Sequence, residues 1–236
     1  MGPSITNKEC DLIKSMTLYV VRHGETYFNQ FDQFQGWSDT PLTPTGIQQI
    51  QNLAIQLKAL PITAVYASDM TRARQTASIL SHHTDWQTGN VRFKSDLREH
   101  FYGSFEGQKM APVWERIAND HGCQTYDDLV MQFNVDQAQD WLSQADPSHL
   151  AETSQAFWAR MTTGLANIVN ERPDQSAALL VSHSSVIRAI VARYAPEQLD
   201  PITPDNGRVT QLKLSRGATG GVAVEVVNYN QSAVTA

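Results

Sequence analysis

Two apolar runs in this chain end in an imidazole. Tyr19-Val20-Val21 leads into Arg22-His23-Gly24, and Leu179-Leu180-Val181 leads into Ser182-His183-Ser184. A third run, Ala64-Val65-Tyr66-Ala67, ends at Ser68, shortly before Arg72. If the three runs are neighbouring strands, these side chains meet at one sheet edge, because ligands of open α/β sheets bind at the carboxyl ends of the strands. Two histidines and two guanidiniums held together repel, and they are costly to bury without an anion. A dianion such as phosphate suits them, since the arginine fork binds two oxygens at once.

Metal coordination is the rival use for two histidines. His23 and His183 lie far apart in the chain, neither has a second ligand at motif spacing, and Arg22 would set a positive charge beside the ion. His82-His83 read as a solvated helix end, and His100, His121 and His149 are scattered. No metal ligand is therefore assigned. Neither a P-loop nor a dinucleotide-binding glycine pattern is present. The 236 residues are 41% hydrophobic and 18% charged, which supports a buried core and suits a single α/β domain. A net charge of −6 argues against a general nucleic-acid binder. No apolar run approaches the ~20 residues of a membrane-spanning helix. Cys10 and Cys123 cannot build a disulfide framework and read as free thiols of a cytoplasmic protein.

The positioning elements follow from periodicity. Residues 1–15 show no period and read as an extension to a single domain over 16–236. Thr43-Pro44 offers a helix cap with proline at the first position, and Ile47, Ile50, Leu53, Ala54 and Leu57 form its apolar stripe. Ser68 or Asp69 is expected to cap the helix bearing Arg72. Residues 100–152 are aromatic, acidic and glycine-punctuated, with a short helix expected around Asp127 to Phe133; they read as an insertion lying over something else. Phe157, Met161, Leu165, Ile168 and Val169 mark a long helix after Thr153. Ala177 to Val181 is continuous enough for a strand buried on both faces. Ser184 to Tyr194 reads as a helix, and Arg208–Leu214 with Val222–Tyr229 as a hairpin around Gly220-Gly221. Strands alternating with helices give an α/β fold with a mostly parallel sheet.

Five segments, in order, resemble the histidine phosphatase superfamily, also called phosphoglycerate-mutase-like. They are Val20–Asn29, Phe34–Thr43, Ser68–Ala77, Leu97–Gly107 and Leu180–His183. The resemblance implies a three-layer α/β/α sandwich with a mainly helical insertion over the active site. It implies that His23 is a nucleophile forming a phosphohistidine, with Arg22, Arg72 and His183 around the phosphoryl oxygens. Glu99 would be the general acid, with Asp96 and Glu106 as nearby competitors. Asn29, the Gln35-Gly36 backbone, Tyr102 and Ser184 would contact substrate, and Gly24 would allow a tight reversal beneath the site. Ser184 departs from the family's usual glycine after the second histidine. No cofactor is implied.

Phosphatase and mutase share the first half-reaction and differ in the acceptor. Mutases of this family use an adjacent arginine pair in the insertion. Here Lys109, Arg116, Arg160 and Arg172 are the only lysines and arginines between Glu99 and His183, and none are adjacent. Trp114-Glu115-Arg116 has glutamate where a paired arginine might be sought, and the segment is aromatic. A metal-independent phosphatase acting on a small phosphorylated metabolite is therefore favoured over a cofactor-dependent phosphoglycerate mutase. The same residues could also serve a phosphate-binding module without turnover, or a protein phosphatase. Alternating Val222, Val224 and Val226 could form an edge that pairs with a second copy.

Overall fold

The computed structural model describes residues 14–86, 88–199, 204–216 and 221–232. Six strands form one sheet: β1 (Ser15–Arg22), β2 (Ile62–Ala67), β3 (Arg92–Phe93), β4 (Ser176–Ser182), β5 (Val209–Arg216) and β6 (Val222–Gln231), in the order β3-β2-β4-β1-β5-β6. The pairs from β3 to β1 are parallel, and β5 runs antiparallel to both β1 and β6. The helices are α1 (Tyr27–Gln30), α2 (Pro44–Leu57), α3 (Thr71–His83), α4 (Met110–Asp120), α5 (Tyr126–Gln132), α6 (Val135–Ala145), α7 (Ser154–Glu171) and α8 (Ser184–Tyr194).

The pleat divides the core between two faces. Leu18, Val20, Ala178 and Leu180 pack with α7, α8 and the insertion, while Tyr19, Val21, Leu179 and Val181 pack with α2 and α3. Ile62 and Ala64 lie on opposite faces despite their even spacing, because a register shift interrupts the β2–β4 pairing between Ile62 and Val65. The α/β/α sandwich and the helical insertion, α4 to α6, are thus present. The central strands are apolar on both faces because both faces are covered.

Local signals act as expected at several starts. The Thr43 and Thr153 side chains accept from the Gly46 and Ala156 backbone N–H, capping α2 and α7. At α3 the expectation fails. The N-cap is Met70, whose side chain makes no capping hydrogen bond, and the Thr71 N–H donates instead to the carboxylate of Asp39, from a distant loop. Strand β1 begins at Ser15, whose N–H donates to Asp174 at 2.8 Å, so the sheet starts one residue inside the expected extension. Residues 1–13, Cys10 among them, and 217–220, within the stretch where the hairpin turn is expected, lie outside the described residues. Cys123 is a buried free thiol. Among the described residues no helix is long and apolar enough to cross a membrane.

Candidate active site

Three adjacent parallel strands bring the chemistry to one edge. Arg22 closes β1 opposite Ser182 of β4, and Ala67 of β2 lies opposite Val181. The His23 N–H donates to Ser182 O at 3.1 Å and the Ser68 N–H to Val181 O at 3.4 Å, extending the ladders into the site. The rings of His23 and His183 meet edge to face, 5.3 Å between centroids.

His23 is 4% exposed and its tautomer is set by one contact. Nδ1 lies 2.8 Å from the Gly24 carbonyl, which can only accept, so Nδ1 carries the proton and Nε2 keeps its lone pair. Burial, reinforced by Arg72 and Arg22, holds its pKa well below the usual value, so the ring is neutral near pH 7. His183 is depressed for the same reasons: burial first, then the charge of Arg72. Its Nε2 lies 2.7 Å from Ser68 Oγ, whereas its Nδ1 is buried with no partner.

Both arginines are held by protein oxygens. Arg72 is fully buried, and its Nη atoms donate to the carbonyls of Gln35, Gly36 and Ser38 and to Asp39. Arg22 donates to Pro204 O at 2.6 Å, and burial pushes its pKa down to about 10. In each the Nε is buried without a partner. Arg22 Nε, Arg72 Nε and His183 Nδ1 are thus buried without a partner in the site that holds the free lone pair of His23.

Glu99 is 4% exposed, and its oxygens accept from the His100 and Ser185 N–H groups, each at 3.0 Å. Ser185 lies in the first turn of α8, so the carboxyl sits at that helix's positive end. Burial nevertheless outweighs these contacts and the charges of Arg72 and Arg160, and its pKa is raised. Asp96 and Glu106 compete with it in sequence but not in space. Glu106 is spent elsewhere: it accepts from the N–H groups of Gly36, Trp37, Ser38 and Tyr102 and from the Ser38 hydroxyl. Asp96 does not line the cavity.

A cavity of about 460 Å³ opens onto this edge. Arg22, His23, Asn29, Gln35, Glu99, Tyr102 and Ser184 line it; Arg72, His183, Gly24 and Gly36 do not. Asn29 Oδ1 accepts from Thr26 N–H in a capping box, leaving its amide N–H groups to the cavity. The Gln35 amide is tied to Thr26 and Thr40, and the carbonyls of Gln35 and Gly36 grip Arg72 while the Gly36 N–H goes to Glu106. This backbone orients Arg72 more directly than it faces a ligand. Gly24 makes no positive-φ reversal. A Cβ there would lie 2.7 Å from Gly46 O, so glycine lets α2 approach.

Among the groups in the cavity wall that sequence reasoning passed over are His100, Ser185 and Arg188. His100 stacks on Phe157, centroids 3.9 Å apart, and burial lowers its pKa to about 3. Arg188 lies four residues after Ser184 and hence on the same helix face, a spacing that was legible. Among the described residues no three His, Cys, Asp or Glu side chains are grouped to hold a metal ion.

The chain belongs to the histidine phosphatase superfamily (branch 1), whose family model matches residues 18–228. It is 29% identical to the broad-specificity phosphatase YOR283W of Saccharomyces cerevisiae over 199 residues, covering 82% of this chain and 77% of that one. It is 38% identical over 104 residues to a protein of Escherichia coli named "Probable phosphoglycerate mutase GpmB", a match spanning 44% of this chain and only 47% of that one. Among solved structures, phosphoglycerate mutase from Bacillus anthracis is similar with a TM-score of 0.79 at 27% identity, covering 91% and 93% of the two chains.

Proposed function

We propose that the chain hydrolyses small phosphomonoesters through a phosphohistidine on His23, as a single domain over 16–236. The observation that carries this reading is the set of buried, unpartnered nitrogens of Arg22, Arg72 and His183 around the free lone pair of His23. A bound phosphoryl group would accept from the two arginine Nε–H groups and offset the repulsion between the guanidiniums; with Ser68 Oγ–H donating to His183 Nε2, His183 Nδ1–H donates to it as well. His23 Nε2 forms the bond to phosphorus as the ester oxygen leaves. Glu99, its pKa raised, gives that oxygen a proton. The resulting carboxylate then takes a proton from water as water displaces His23. The two arginines stabilise charge on the transferring group.

Hydrolysis is favoured over transfer by what lines the rest of the cavity. Asp32, Glu115 and Asp127 stand in the wall, beside the aromatic rings of Trp114 and Tyr126. Lys109 donates to the Phe31 carbonyl, Arg116 lies over Phe105, and Arg160 is bound to Glu152 and three backbone carbonyls. A second phosphate or carboxylate on a substrate would thus meet carboxylates, with one paired arginine, Arg188, as the cation.

The test is phosphate release from a panel of phosphomonoesters in the presence of EDTA, with 3-phosphoglycerate and 2,3-bisphosphoglycerate included and 2-phosphoglycerate followed in parallel. Release from several esters with little isomerisation is expected. Fast, bisphosphate-dependent isomerisation would make the chain a mutase. Phosphate binding without turnover would make it a binding module.

A further inference from the structure

The cavity is also lined by an arginine that the chemistry at His23 does not use. Arg188 is 2% exposed and lines the cavity. Its Nη2 donates to Asp127 at 2.7 Å, its guanidinium lies 4.8 Å over the Tyr126 ring, and its Nε is buried with no partner. A buried N–H with no acceptor is costly, and a ligand oxygen would satisfy it. Arg188 lies four residues after Ser184, about 6 Å further along the helix axis, and both line the cavity. Beside it, Trp114 and Tyr126 pack at 4.4 Å between centroids and supply an apolar surface for the body of a ligand.

The charge balance selects the kind of oxygen. Asp127 already neutralises Arg188, and Asp32 and Glu115 add negative charge to the same cavity. An anionic group placed there gains one shared cation and meets the Asp127 carboxylate, in a cavity that Asp32 and Glu115 make more negative. A neutral acceptor, a hydroxyl or carbonyl, gains the hydrogen bond without that repulsion. We infer that Arg188 selects phosphomonoesters whose leaving group has an aromatic or apolar body and a neutral oxygen at its far end. This deepens, and rests on, the phosphatase reading above.

The experiment compares kcat/KM for 3-phenylpropyl phosphate, its 3-hydroxyphenyl and 4-hydroxyphenyl analogues, and its 4-carboxyphenyl analogue. Their reacting alcohols are alike, so differences report the far end. At least one hydroxyl ester is expected to exceed the parent roughly tenfold, the yield of a hydrogen bond to a charged group. The carboxylate is expected to fall below both hydroxyl esters. Arg188→Met brings the hydroxyl preference to about one, with thermal melting as the folding check. Asp127→Asn, at a half-exposed position, raises the carboxylate ester relative to the parent. Equal rates for parent and both hydroxyl esters in the wild type, or a preference that survives Arg188→Met, would overturn the inference and leave the phosphatase reading standing. Absence of hydrolysis of every ester defeats the phosphatase reading instead; calorimetric affinities of the same esters then test whether Arg188 ranks them in that order.

Discussion

Two carboxylates, buried Glu99 and part-buried Glu106, flank the site, and their replacement by glutamine separates chemistry from positioning. Glu106 accepts from Trp37 and Tyr102 N–H on Oε1, and from Gly36 N–H, Ser38 N–H and the Ser38 hydroxyl on Oε2. Whichever oxygen becomes NH2 in Glu106→Gln, at least two donors face a donor. Each such loss is worth about 1–3 kcal/mol, and water repays part of it at the exposed Trp37 end, leaving about 2–4 kcal/mol. For a chain of this size that lowers Tm by about 5–15 °C. The same loop supplies the Gln35, Gly36 and Ser38 carbonyls that hold Arg72, so kcat/KM falls by roughly 10–100-fold. That factor is equal for alkyl and 4-nitrophenyl phosphates, because Arg72 serves both. In Glu99→Gln the losses differ: alkyl esters slow by roughly 10²–10⁴-fold, while 4-nitrophenol, which needs no proton to leave, still appears in a first-turnover burst. Stopped-flow release with both substrates, beside thermal melts, reads all of this. An unchanged Tm and activity within twofold for Glu106→Gln would refute the positioning role. Equal slowing of both substrates in Glu99→Gln would refute the acid assignment.

Other expectations follow from single contacts. Ser68→Ala leaves His183 Nε2 buried and unpartnered; kcat should drop roughly tenfold, and the His183 ring nitrogens should shift in NMR spectra. Gly24→Ala drives a methyl to 2.7 Å from Gly46 O and 2.9 Å from Ile50 Cγ1, which should cost about 1–3 kcal/mol in denaturant unfolding. Stability should fall as pH drops below 6.5. The unfolded chain then protonates His23, His100 and His183 before the folded chain does; each adds up to about 1.4 kcal/mol per pH unit, His100 down to its folded pKa of about 3. Burial would raise Asp146, but hydrogen bonds from Ser104, Ser148 and Ala151 hold it low, adding a loss below the ordinary carboxylate range. Urea midpoints at pH 7 and 5 check this, and His100→Gln should reduce the slope by about one histidine's share while leaving that of His23 and His183.

Much of the arrangement could be read from the chain because its strands announce themselves. Apolar runs ending in Arg22-His23 and Ser182-His183 are legible only because buried parallel strands are apolar on both faces, and Thr43-Pro44 marks a helix start through local chemistry alone. What escaped depends on residues far apart in sequence. The start of α3 is held by Asp39 rather than by Ser68 or Asp69, and Gly24 is required by α2 rather than by its own turn. The two-residue strand β3 is too short to leave a period. Glu106 reads as a spare acid in sequence because nothing local shows that the 36–38 loop folds onto it. The environment of Arg188 is set by Asp127 and Tyr126 of the insertion, whose packing no local pattern encodes.

The most direct measurement is to trap the phosphorylated enzyme. Wild-type protein mixed with ³²P-labelled phenyl phosphate, quenched in alkali within the first turnovers and digested should yield one labelled peptide. That label is expected on His23, stable to alkali, lost in acid and absent from His23→Asn. Turnover with no labelled protein, or label on any residue other than His23, would contradict a phosphohistidine route.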